Sequence, residues 1–121
     1  MPCAFDYAIV RVVPRVEREE FINAGVIVFC DARDYLAAGI ALDEARLLAL
    51  FRAVDLDLVR QHLAAIPLVC EGKGPIGQLP LRERWHWLTA PRSTILQVSP
   101  PHTGLTDAPE EALARLMGTY C

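Results

Sequence analysis

The clearest pattern of apolar and polar positions is the strand-like run Glu20 to Asp31, EFINAGVIVFCD. Before it, Phe5 to Val13 (FDYAIVRVV) is rich in β-branched and aromatic residues and stops at Pro14, as a hairpin partner would. Alternation puts Phe5, Tyr7, Ile9, Arg11 and Val13 on one face and Asp6, Ala8, Val10 and Val12 on the other. Both faces are largely apolar, the pattern of a strand covered on both sides. Arg11 is the exception, and reads as a snorkelling or ion-paired side chain ahead of a ligand contact. The connection PRVEREE alternates in charge and reads as solvated. In the second strand, Phe21 to Cys30, strict alternation sets Asn23 and Gly25 on the face of Phe21, Ile27 and Phe29. Gly25 leaves room there for a bulge or a close backbone approach.

Asp31 to Asp34 has turn chemistry, and Tyr35 to Leu42 reads as a third antiparallel strand, with a short helix as the competing assignment. Asp43 is a natural N-cap for a helix to about Val54, with Leu47, Leu50, Phe51 and Val54 as its buried stripe. A second helix starts at Asp55 or Asp57, carries Leu58, Val59, His62, Leu63 and Ile66, and ends or kinks at Pro67. Glu71 to Gly77 (EGKGPIG) reads as a surface loop. Its glycines beside Lys73 do not fit the phosphate-binding GxxxxGK[ST] pattern. Leu79 to Ala90 predicts a short helix whose Trp85 and Trp87 anchor a core or an interface. Ser93 to Ser99 predicts a fourth strand, and His102 to Asp107 a turn or loop. In the last helix Asp107 and Glu110 resemble a capping box, Pro109 sits in the first turn, and Gly118 is a stop. The expected fold is therefore α+β: one domain spanning residues 1–121, with an antiparallel sheet of three to five strands packed by helices.

Composition narrows the function classes. A chain of 121 residues with 53% hydrophobic content can bury a core, which argues against disorder. A formal charge of -3 lacks the basic footprint of a nucleic-acid binder. Cys3, Cys30, Cys70 and Cys121 form no CxxC pair, so neither a zinc knuckle nor a thioredoxin-like motif is expected. The first residues lack a secretory pattern, and no run approaches the ~20 apolar residues of a membrane span. The expectation is a cytoplasmic protein with reduced thiols and no membrane, metal or cofactor; homo-oligomerisation stays open.

Candidate chemistry gathers at Arg92, Ser93, His102 and Thr103, where a guanidinium, two hydroxyls and an imidazole beside Gly104 suit an anion. Histidine's unperturbed pKa lies near neutrality, which makes His102 a candidate general acid or base. Residues ten apart on an extended strand can lie more than ~25 Å apart, so a bend would have to gather them. Capping and loop hydrogen bonds are the competing reading. His62 has no second ligand at metal spacing and reads as a boundary or core histidine. GxSxG, HExxH and GxGxxG are absent, and no reaction type is indicated.

The stretch FDYAIVRVVPRVEREEFINAGVIVFC, followed by RERWHWLTAPRSTILQVSPPHTGLTDAPEEALARL, resembles the bacterial family known as domain of unknown function 3037. Its most specific pieces are Glu20, Asn23, Gly25 and Val26, then Ala90 to Ser93, then His102 to Gly104. The resemblance covers nearly the whole chain. It implies a partner, because members sit beside genes for HipA-like kinases, but it carries over no catalytic residues. Asn23, Arg92, Ser93, His102 and Thr103 thus stand as ligand-binding candidates, and Trp85 and Trp87 as interface candidates. Two functions follow as expectations. The first is a non-catalytic accessory or interaction protein that partners a HipA-like kinase. The alternative is an enzyme or binding protein for a phosphate-bearing small molecule, using Arg92 and His102.

Overall fold

A computed structural model describes residues 1–92 and 94–121. Its centre is an antiparallel sheet of five strands: β1 (Cys3–Arg15), β2 (Glu20–Cys30), β3 (Tyr35–Ile40), β4 (Leu96–Val98) and β5 (His102–Thr106). The order is β3-β2-β1, with β4 and β5 sharing the remaining edge of β1. Each hairpin connection is a single tight turn, Val16–Arg18 and Asp31–Arg33, closed by a residue in the left-handed region, Glu19 and Asp34. The α+β class and the antiparallel sheet agree with the sequence reading.

One bulge reverses a predicted face. Val10 pairs with Gly25 but Arg11 pairs with Asn23, so Ala24 is an extra residue on β2. Side-chain parity shifts there: Asn23 lies on the face of Arg11, whereas Ile27 and Phe29 join Ala8 and Val10 in the opposite core. Strict alternation had put all of them together. Gly25 is required at this point, since a Cβ would come within 2.5 Å of the Gly39 carbonyl oxygen on the neighbouring strand.

The edge strand holds a second irregularity. Val98 lies opposite Val10 and His102 opposite Tyr7, so β4 and β5 are one antiparallel run with one extra residue at Ser99–Pro101. Neither proline can donate to the ladder. Buried Ser99 bridges the gap: its N–H donates to the Ile9 carbonyl (2.9 Å), and its hydroxyl accepts from the Ile9 N–H (2.9 Å) and donates to the Pro100 carbonyl (3.1 Å). The expected fourth strand is consequently short, and the expected loop at His102 is strand.

Helices cover both sheet faces. On one lie α1 (Glu44–Leu50), α2 (Leu56–Cys70) and α4 (Leu81–Thr89), with the single turn α3 (Gly74–Gly77) between the last two. Leu47, Val59, Leu63, Trp85 and Leu88 pack there against Val10, Val12, Ile27 and Phe29, and the Trp85 ring stacks on Phe29 at 5.6 Å. Asp43 and Asp55 cap α1 and α2 by accepting from Arg46 and Leu58 N–H. α2 runs through Pro67 to Cys70, and Arg84 of α4 donates to the carbonyls of Val69 (3.2 Å) and Cys70 (2.9 Å). A cation on those terminal carbonyls stabilises the last turn and ties α4 to α2. The opposite face carries α5 (Pro109–Tyr120), whose Ala112 and Leu116 meet Phe5, Ile9, Val26 and Val28. Its N-cap is Ala108 without a side-chain bond, in place of the expected Asp107 box, and the helix passes Gly118.

Candidate functional site

The best-formed concavity lies on the face covered by α1, α2 and α4, between α2, α4 and the short strand β4. Val10, Leu96 and Val98 form its floor; His62, Ala65 and Ile66 of α2 form one wall; Trp87 and Leu88 of α4 form the other. Arg92, Thr94 and Gln97 complete the lining, and the volume is about 340 Å³. That is at the small end of ligand pockets, which span roughly 300–1,000 Å³. The Ala65 methyl leaves the α2 wall open where a larger side chain would close it.

Trp87 and Arg92 make the rim a unit. The Arg92 guanidinium lies 4.5 Å from the centroid of the Trp87 ring and donates to the Trp87 carbonyl at 2.7 Å. It therefore caps the carbonyl end of α4 while presenting a cation beside an indole. Among the described residues no carboxylate lies within ion-pair distance of Arg92. The described lining contains no thiol and no carboxylate. Such a site suits an apolar group carrying a hydrogen-bond acceptor or a negative charge.

The sequence-predicted residues scatter. Arg92 lines the cavity; Ser93 lies outside the described residues. His102 sits opposite Tyr7, its ring tilted 31° to the Tyr7 ring with centroids 5.2 Å apart, on the α5 side of the sheet. Thr103 donates from its hydroxyl to the Asp6 carboxylate at 2.9 Å. Asn23 donates to the Tyr120 carbonyl at 3.1 Å, fastening the end of α5. The sheet thus parts Arg92 from His102, and they share no pocket. The tryptophans also divide: Trp85 is buried in the core, while Trp87 is 42% exposed. His62, read as a boundary or core histidine, is exposed and lines the cavity. The packing of α2 over β4 puts His62 and Arg92 on the lining of one cavity, which no sequence spacing signalled.

A second concavity, about 410 Å³, opens on the other face where α5 ends short of the strand ends; Arg11, Val13, Val16, Glu19, Phe21 and Gln97 line it. The Arg11 guanidinium lies 4.3 Å over the Phe21 ring, and its buried Nε has no hydrogen-bond partner among the described residues. Among the described residues no three His, Cys, Asp or Glu side chains gather as a metal site, and no helix is long and apolar enough to cross a membrane.

No curated protein and no solved structure matches this chain. The profile of the family described as "Protein of unknown function (DUF3037)" matches residues 7–121, and the chain belongs to that family.

Proposed function

We propose that the chain is a non-catalytic interaction protein whose recognition surface is the Trp87–Arg92 rim and the apolar cavity behind it. One observation carries this reading: Trp87 stands 42% exposed at the mouth of a cavity floored by Val10, Leu96 and Val98. Tryptophan and arginine are over-represented among residues that dominate binding energy, and a pocket that takes up one apolar side chain is the usual setting. The partner would insert an apolar side chain beside the indole and place an acceptor or carboxylate against Arg92. A HipA-like kinase is the first partner to test, on the strength of the sequence resemblance.

The test mixes the purified chain with a purified HipA-like kinase and measures affinity by calorimetry. Trp87→Ala is expected to weaken binding by about tenfold or more, the effect of losing a central aromatic, while its melting curve stays close to wild type. No complex at micromolar concentration would remove the kinase, and undiminished binding by Trp87→Ala would remove this surface.

The juxtaposition of Arg92 and His62 on one rim favours a second reading, a small ligand with an apolar body and a phosphate or other acidic group. His102 would take no part in it. Phosphorylated metabolites that raise the Tm of wild type but not of Arg92→Gln would support that ligand; a panel without any such shift would count against it.

A further inference from the structure

At the opposite end of the sheet, the cysteines that begin β1 and end β2 meet. The Sγ atoms of Cys3 and Cys30 are 3.3 Å apart, and both thiols are free. Cys30 is fully buried and Cys3 half-buried, both on the α5 side of the sheet. Their other contacts are weak ones, to the carbonyls of Thr106 (3.3 Å from Cys3) and Ala4 (3.4 Å from Cys30). Arg33 holds the chain end nearby, donating to the carbonyls of Met1 (3.2 Å) and Asp107 (3.0 Å).

A disulfide needs the sulfurs at about 2.05 Å, so the pair must close by roughly an ångström. The backbone permits that movement. Pairing of β1 with β2 ends at Asp6 opposite Phe29, and Cys3 pairs only with Thr106 of β5. The first residues of β1 can thus lean toward Cys30 without breaking the central hairpin. Cys70 lies in the core on the other side of the sheet and cannot compete.

We propose that Cys3 and Cys30 are a reversible disulfide site, oxidised by exchange with a low-molecular-weight disulfide of the glutathione class. Cys3, the more accessible, loses its proton and attacks one sulfur of the reagent; the reagent's S–S bond breaks and one thiolate leaves, taking up that proton. Cys30, deprotonated in turn, attacks Cys3 Sγ, and the second reagent thiolate departs and is protonated. Two protein thiols are oxidised, and one small disulfide is reduced to two thiols. Burial pushes the Cys30 thiol above its ordinary range, with the Cys3 thiol adding to the rise, which fits Cys30 as the resolving rather than the attacking group. The product staples the start of β1 to the end of β2, next to the β5 residues that lead into α5.

The experiment equilibrates the protein, in a Cys121→Ser background, with oxidised and reduced glutathione in varied ratio. Samples are acid-quenched, unfolded, alkylated and mapped by mass spectrometry. Expected are a Cys3–Cys30 linked peptide, equal loss of alkylation at both positions, and full alkylation of Cys70. The oxidised protein should also unfold at higher urea than the reduced one, because the bond restricts the unfolded chain. Cys30→Ala should halt at a stable glutathione adduct on Cys3. A persistent adduct on Cys3 of the Cys30-containing protein would overturn the proposal. So would Cys3 and Cys30 both remaining alkylatable, alongside Cys70, under conditions that fully oxidise dithiothreitol. The map of the Cys30-containing protein decides even if Cys30→Ala does not fold.

Discussion

The two faces of the sheet bury their strands by different means. On one, α1, α2 and α4 interlock through Leu47, Val59, Leu63, Trp85 and Leu88, and a cavity remains beside the three-residue strand β4. On the other, α5 covers Phe5, Ile9, Val26 and Val28 and leaves Phe21 and Val16 44% and 40% exposed. There an arginine takes the place of a helix, the Arg11 guanidinium carbon 4.3 Å over the Phe21 ring. Several helices locked to one another make a rigid wall in which a vacancy persists as a shaped pocket. A lone helix leaves an edge that long side chains cover loosely. The shaped pocket is therefore the better candidate for recognition.

The largest expected effect breaks the face covered by α1, α2 and α4. Phe29→Ala removes a fully buried ring stacked on Trp85 and should cost about 3–5 kcal/mol in urea unfolding. Leu116→Ala, under α5, should fall toward the lower part of the roughly 2–5 kcal/mol range. A greater loss at Leu116 would invert the comparison.

Ser99→Ala should cost about 1–3 kcal/mol, because it leaves the buried Ile9 N–H without an acceptor. Hydrogen exchange would show Ile9 protection falling before that of Val26 on the far strand of the hairpin. Equal protection would mean the β4–β5 break is held by something other than the hydroxyl.

The pH dependence of the face covered by α1, α2 and α4 follows from Cys70. Burial pushes its thiol from 9.0 up to about 12, against the opposing charge of Arg84. The unfolded chain ionises first, so it binds fewer protons than the folded one and stability falls as pH rises from about 9 toward 12. Urea midpoints measured across that window should decline less steeply in Cys70→Ala. An unchanged slope would assign alkaline unfolding to other groups.

Arg11→Met carries the smallest effect, within about 0.5 kcal/mol of wild type, since the stem still covers Phe21 and the unpartnered Nε is gone. A loss above about 1 kcal/mol would mean that Arg11 forms a charged bond in solution, and would raise the open face to a site in its own right.

Local chemistry by itself determined much of this protein. The β-branched runs at 5–13 and 21–30, the aspartate caps Asp43 and Asp55, and Pro109 in the first turn of α5 each act through neighbours a few residues away, so they are legible in order along the chain. Tertiary structure decided the rest. The bulge at Ala24 turned Ile27 and Phe29 to the other face, because the register of β2 is set by β1 and by the close approach of Gly39. The strand at His102 exists because Ser99 carries the β1 ladder past two prolines. Arg92 and His102, ten positions apart, ended on opposite sides of the sheet, while His62, thirty positions from Arg92, came to the same rim. Which face a side chain occupies depends on pairing between distant segments, and a single register shift reverses it.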